Sequence, residues 1–268
     1  MPGTLFVVAT PIGNLEDITV RALRVLRDVA LIAAEDTRRT AHLLSRHAIA
    51  TPTTSLHEHN EAQKSGSIIA RILQGDDVAV VSDAGSPAIA DPGQRLISDA
   101  VEAGIRVEPI PGPNAAITTL MVSGLATDSF CFLGFPPTRG KDRKDWFDRL
   151  AHVGGTVAFY EAPHRIASTL TELLRRLGDC RVIIGRELTK IHEELVRGPI
   201  STVLQRMEHA RGEFTVVVDI GLTTKINHQS TESLRANAET RRQAVADLAK
   251  LIGLTPNQLY SAIEQARK

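Results

Sequence analysis

The chain has 268 residues, 43% of them hydrophobic, with 31 Lys and Arg set against 31 Asp and Glu. This length and apolar content predict two packed domains and exclude a disordered chain. Zero net charge excludes bulk electrostatic attraction to nucleic acid, and 4% aromatics exclude a broad base-stacking platform, so any RNA contact must rest on local basic patches and shape.

Apolar runs rich in Val, Ile and Phe predict strands at residues 4–10, 29–34, 78–82, 106–110, 130–135, 156–161, 181–186, 193–197 and 214–220. Helical patterns lie between most of them. Ala22, Val25, Leu26 and Val29 recur at helical spacing. Asp91-Pro92 reads as an N-cap with proline at the first helical position, and Gly104 as that helix's stop. Ile166, Leu170, Leu173, Leu174 and Leu177 form a stripe entered by Pro163 and closed by Gly178. The alternation predicts an α/β fold. "RELTKIHEELVRG" leaves little room for a helix, so a mixed sheet is expected in the second half. The predicted division is an α/β domain at 1–124, a second α/β domain at 125–222, a polar linker at 223–240 and a helical tail at 241–268. In the tail, Thr240 with Gln243 and Thr255 with Gln258 make two capping boxes. The first helix carries the stripe Val245, Leu248, Ala249 and Ile252, and the second carries Leu259, Ala262 and Ile263. This pair suits either part of a helix-turn-helix or an αα-hairpin packed on a body or a second subunit.

Cys131 and Cys180 lack metal-ligand spacing, and no apolar run approaches 18 residues. No metal and no membrane span are expected, and the reading is a soluble, cytoplasmic protein.

Three turns carry the chemistry. "TPIGN" follows the first strand, "SDAGSPAIADPG" (82–93) the third, and "PIPGPNAA" (109–116) the fourth. Turns at the carboxyl ends of parallel strands converge on one crevice. There is no GxGxxG and no P-loop lysine, and the prolines remove backbone N–H donors that a pyrophosphate needs. Such turns suit a small neutral or cationic nucleoside-like ligand, with Asp83 as an acceptor; each turn alone reads equally well as a tight turn.

"VATPIGNLEDIT", "SDAGSPAIADPG", "PIPGPNAA", "FLGFPP", "FYEAPHRI", "RELTKIHEE" and "GEFTVVV" follow one another at fitting spacing. In this the chain resembles the tetrapyrrole-methylase-like, class III S-adenosylmethionine-dependent family, in the branch acting on ribosomal RNA. The resemblance covers residues 4–222. It implies two α/β domains with S-adenosylmethionine in the cleft between them, a homodimer, and methyl transfer to the 2′-oxygen of a cytidine in 16S rRNA at the decoding region of the small ribosomal subunit. It places the cofactor against Pro11, Ile12 and Gly13; Val81, Ser82, Asp83 and Ser86; Asn114 and Ala115; Tyr160 and Glu161; and Arg197 and Gly198. Relatives acting on tetrapyrroles carry GAGPG and GDP where this chain has ATPIG and SDAG.

Glu35 and Asp36 follow an apolar strand and should face the cleft. Arg38, Arg39, His42 and Arg46 follow on a helix. Their bland reading is a solvated face with local ion pairs; the resemblance places them beside the active site. Residues 136–149 form the most basic predicted loop, with Arg139, Lys141, Arg143 and Lys144 expected on RNA together with Arg38 and Arg39. Trp146 reads as a helix anchor. Arg165 and Arg186 are expected to pair with Glu161 or Glu187, and His164 to cap or pack. A ribose hydroxyl is a weak nucleophile, so a base or a cation would help. Glu35, Asp36 and Glu161 are candidate bases, and Lys190 a candidate cation or base with a depressed pKa. Two competing readings are an enzyme of this fold acting on a small tetrapyrrole and a non-catalytic RNA-binding module.

Overall fold

Every residue of Val78–Val81, VAVV, is buried. A strand covered on both faces belongs inside a parallel sheet flanked by helices. The computed structural model, which describes residues 1–207, 211–221, 245–246, 249 and 255–259, places it there. Strands β1 (Thr4–Val8), β2 (Leu31–Ala34), β3 (Thr53–Ser55), β4 (Val78–Val81) and β5 (Arg106–Ile110) form a parallel sheet in the order β3-β2-β4-β1-β5. Alternation along the strands divides their side chains between two layers. Val8, Ile32, Ala34, Ala79 and Val81 pack under α1 (Val20–Asp28) and α2 (Thr37–Arg46). Leu5, Leu31, Ala33, Val78 and Val80 pack under α3 (Glu61–Leu73) and α4 (Gln94–Glu102). The chain leaves β1 toward one edge and β4 toward the other, so the crevice at a topological switch point opens where these two strands end.

A second sheet holds β6 (Phe130–Phe132), β7 (Thr156–Glu161), β8 (Arg181–Arg186), β9 (Glu194–Pro199) and β10 (Phe214–Asp219) in the order β6-β7-β10-β8-β9. The β6–β7 pair is parallel and the other pairs are antiparallel, the mixed sheet that the short β8–β9 connection predicted. One face packs under α6 (Gly140–Val153), α7 (Ile166–Leu177) and α8 (Ile200–Met207). The other face is covered by α5 (Ala115–Met121), through Ala116 and Leu120 against Ala158, Ile183 and Val217.

Three local expectations change. The helix expected after Asp91 begins at Gln94, with Gly93 as its N-cap residue at φ 116°. Gly93 has no side chain to cap with, so Glu61 of α3 accepts from the N–H groups of Gly93 and Leu96, both at 3.1 Å. The basic 136–149 stretch is helical from Gly140 onward, because Trp146, Phe147 and Leu150 give it a buried face. Trp146 is 3% exposed and its Nε1 donates to the Leu133 carbonyl at 3.0 Å, so it anchors the helix as expected. Strand β3 carried no signal, since Thr53, Thr54 and Ser55 form a short polar edge held by β2 alone.

Farther on, Gln258 Oε1 accepts from the Thr255 N–H at 2.8 Å and Thr255 Oγ1 accepts from the Gln258 N–H at 3.3 Å, the predicted capping box. The linker 223–240, the Thr240–Gln243 box and the stripe residues Leu248, Ile252, Ala262 and Ile263 lie outside the described residues. No helix among the described residues is long and apolar enough to cross a membrane.

Candidate active site

The three Gly/Pro turns are fastened to one another. Thr10 donates to the Gly85 carbonyl at 2.9 Å and Gly85 donates back at 3.0 Å, while the Thr10 hydroxyl donates to the Ser82 carbonyl at 3.1 Å. Asn114 Nδ2 donates to Ser86 Oγ at 3.2 Å and Asn114 Oδ1 caps α5 through the Ile117 N–H. These bonds join the ends of β1, β4 and β5 into one wall.

The wall closes a cavity of about 340 Å³ whose other side comes from the second sheet. Ile12, Asp83, Ser86 and Ala115 line it from the turns, and Glu35 and Arg39 from β2 and α2. Tyr160 and Glu161 face them from the end of β7. Ile89, Phe135, Leu188 and Phe214 supply apolar surface. Of the expected cofactor residues, Pro11, Val81 and Ser82 are buried behind this wall, and Asn114 holds Ser86 without lining the space.

Gly13 does not line this cavity and packs against the β8–β9 loop. A Cβ there would lie 2.6 Å from Lys190 Cγ and 2.7 Å from Thr189 Oγ1, so glycine permits the first turn to press against the β8–β9 loop. Asn14 donates to Thr189 Oγ1 at 2.8 Å across the same contact. Arg197 and Gly198 do not reach the cavity. They sit in β9, and the Arg197 guanidinium donates to the Val122 carbonyl at 2.7 Å, at the end of α5 opposite Ala115. A cation on the last carbonyls of a helix is a capping arrangement.

The candidate bases separate by their partners. Glu161 is 2% exposed and fully engaged: its Oε1 meets Arg165 at 2.6 Å and the Ala162 N–H at 2.8 Å, and its Oε2 accepts from Thr169 Oγ1 at 2.5 Å. Its role is structural, and it is paired with Arg165 as expected. Arg186 pairs instead with Glu194 at 3.1 Å, and His164 is exposed. Asp36 caps α2, and hydrogen bonds from the Arg38 guanidinium and N–H hold its carboxyl well below the usual carboxylate range. It is not placed to take a proton from substrate. Lys190 also departs from expectation. Partial burial opposes its charge, but hydrogen bonds to Glu213 and Glu187, both at 3.0 Å, outweigh this and hold the ammonium above its ordinary pKa. Glu35 does face the cavity, where its Oε2 accepts from the Asp83 N–H at 3.1 Å. Asp83 in turn accepts from the Asp36 N–H at 3.0 Å and lies 3.5 Å from Arg39.

Sequence reasoning assigned Asp91 to a helix cap, and the structure brings it to the cavity. Burial, then the negative charges of Glu35 and Asp83, push its carboxyl up to about 7 against a hydrogen bond from Ser82. The loop that carries it holds Ala88 at φ 65° and Ala90 at φ 63°. Each left-handed alanine costs roughly 1–2 kcal/mol. Glu213, Phe214 and Thr215 at the start of β10 also line the cavity, and the "GEF" opening of that central strand was the available signal. Tyr160 tilts against Phe132 and Phe135 and has its hydroxyl pKa raised by burial.

The family model for tetrapyrrole (corrin/porphyrin) methylases matches residues 4–204. The chain belongs to that family. Its members include proteins named ribosomal RNA small subunit methyltransferase I. The one from Vibrio cholerae is 49% identical over 96% of this chain and 92% of its own length. The one from Haemophilus influenzae is 42% identical over 97% and 96%. The methylase fold is also that of solved structures at low identity. Diphthine synthase superposes with a TM-score of 0.64 at 13% identity, covering 88% of this chain and 96% of that one. Uroporphyrin-III C-methyltransferase from Thermus thermophilus, solved with S-adenosylhomocysteine, superposes at 0.58 and 17% identity over 81% and 97%. As a member of this methylase family, the chain is a methyltransferase.

Proposed function

We propose that this methylase uses S-adenosylmethionine to methylate ribosomal RNA of the small subunit, at the 2′-oxygen of a cytidine in the decoding region of 16S rRNA. The observation that carries the reading is similarity along nearly the whole length to relatives named ribosomal RNA small subunit methyltransferase I. The structure's own residues fit the donor. A cavity of about 340 Å³ falls at the small end of the range for small-molecule and cofactor sites. Its acidic rim of Glu35, Asp83 and Asp91 suits a ligand bearing positive charge, and Ile12, Ile89 and Phe214 suit an adenosyl group. When bound, S-adenosylmethionine supplies an electrophilic methyl group on a sulfonium.

The chain's task is then to orient the acceptor, exclude water and receive a proton. Tyr160, Phe135 and Ile89 provide apolar cover. Arg38 and Arg39 stand exposed near the mouth, and Arg139 and Lys141 are exposed at the start of α6, available to phosphates. Arg143 is not: it donates to the Pro137 carbonyl at 2.9 Å and Thr169 Oγ1 at 2.8 Å. Lys144 pairs with Asp148 at 2.7 Å. The reading includes a cytoplasmic homodimer, supported by the apolar residues Ile117, Met121 and Val122 exposed on and beside α5.

The test is incubation of the purified chain with unmodified small subunits and methyl-labelled donor. Label is expected in 16S rRNA, in a dinucleotide resistant to alkaline hydrolysis, as 2′-O-methylation requires. Label on a base, or none, would overturn the reading.

A further inference from the structure

We propose that Asp91 is the general base of the transfer, the group that receives the acceptor hydroxyl's proton. The inference rests on the methyl-transfer reading above. It stands first on geometry. The loop after β4 closes on itself, with Ala88 donating to the Pro92 carbonyl at 3.2 Å. Ala88 and Ala90 are held left-handed on either side of Ile89, and Gly93 follows at φ 116°. This backbone delivers Asp91 and Ile89 together to the cavity. Strained positions that end in a cavity-lining carboxylate mark a functional constraint rather than a turn of convenience.

Elimination points the same way. Glu161 is sealed by Arg165 and Thr169, and Asp36 is committed to Arg38. Asp83 serves the Asp36 N–H and Arg39, Glu35 serves the Asp83 N–H, and Glu213 holds Lys190. No cation pairs with Asp91 among the described residues, and the nearby Ser82 hydroxyl, which lowers its pKa, donates to the Ala84 and Gly85 carbonyls at 3.3 and 3.4 Å. The groups facing it are Glu35 from the end of β2, Ser82 and Asp83 from the end of β4, and Tyr160 from β7, whose hydroxyl feels its charge. Arg39 and Glu213 share the cavity.

The transfer balances simply. The acceptor O–H gives its proton to the Asp91 carboxylate as the oxygen bonds the methyl carbon. The carbon–sulfur bond breaks and its electron pair stays on sulfur. Because burial and Glu35 raise the Asp91 carboxyl to about 7, a cation entering the cavity favours its ionised form. Binding of the donor therefore readies the base by expelling a proton.

Calorimetric titration at pH 7 in phosphate and in Tris separates proton release from binding heat. Wild type is expected to release about half a proton on binding S-adenosylmethionine and less on binding S-adenosylhomocysteine, whose sulfur is neutral. Asp91→Asn should abolish that difference while keeping the wild-type circular-dichroism spectrum, which shows that it folds. Its turnover on small subunits should fall roughly 100-fold or more, with loss of the acidic limb of the kcat profile. Glu35→Gln should move that limb to lower pH. Turnover of folded Asp91→Asn within about tenfold of wild type, or persistence of the donor-dependent proton release in it, would overturn the assignment. Failure of the wild type itself to label small subunits would instead overturn the reading of the reaction.

Discussion

Thr10 and Gly85 exchange two backbone hydrogen bonds, at 2.9 and 3.0 Å, that join the turn after β1 to the turn after β4. The first turn is gripped from its other side by the β8–β9 loop, where Gly13 meets Leu188, Thr189 and Lys190 too closely for any side chain. Cavity shape thus depends on a contact between the two sheets' loops. Gly13→Ala should push these loops apart and weaken S-adenosylhomocysteine binding about tenfold, near 1.4 kcal/mol. Thr189→Ala removes the 2.8 Å bond from Asn14 without adding bulk, and should weaken binding less. Equal affinities for wild type and Gly13→Ala by calorimetry would show that the contact does not shape the site.

Glu161 and Arg165 make a buried pair, with side-chain exposures of 0% and 14%. Removing one member of such a pair strands the other's charge and costs about 3–5 kcal/mol. Arg165→Ala should therefore lower the urea midpoint strongly. Glu161→Gln strands the Arg165 charge in turn, but it keeps an acceptor oxygen against a guanidinium that is 14% exposed, so it should lower the midpoint less. A neutral outcome for Arg165→Ala would mean that water reaches Glu161.

Much of this molecule is legible in its residues. Runs such as VAVV and the stripe of α7 announce strands and helices because burial demands one side-chain period or the other. Convergence of the three Gly/Pro turns follows from parallel strands ending at one edge. What the sequence hides is partnership. Glu161 looks like a base until Arg165 and Thr169 are seen against it, and Lys190 looks like a depressed amine until Glu187 and Glu213 are. Asp91 before Pro92 is indistinguishable from a helix cap, since its real place depends on two left-handed alanines with no sequence mark. Arg143 reads as an RNA cation because its carbonyl and hydroxyl acceptors are remote or unremarkable in the chain.

The basic segment around α6 should divide by exposure. Lys141 is exposed, so Lys141→Ala should weaken RNA binding and reduce its salt slope by about 1, without changing thermal stability. Arg143 braces Pro137 and Thr169 and lies 5.0 Å from the Phe147 ring centroid. Arg143→Ala should lower the melting temperature and leave the salt slope in place. Filter binding across a salt series, beside thermal melts, checks both; a slope change in Arg143→Ala alone would reverse the assignment.

Asp91 should also mark the pH dependence of stability. Its carboxyl has an ordinary value of 3.8 and is raised to about 7 in the native chain, so between those values the native state holds more of the proton than the unfolded state does. Stability then falls as pH rises through that window, because the slope follows protons bound in the unfolded state minus those bound in the native state. Asp91→Asn removes this contribution. Relative to wild type, the variant should gain stability steadily from about pH 4 to pH 7 and hold the gain above it. Glu35→Gln, which removes the larger of the two like-charge influences on Asp91, should flatten the wild-type dependence in part. Urea midpoints at pH 4.5, 6 and 8, roughly spanning the window, measure this. A difference between Asp91→Asn and wild type that stays constant across all three would place Asp91 in an ordinary, well-solvated setting and remove the electrostatic support for its role as a base.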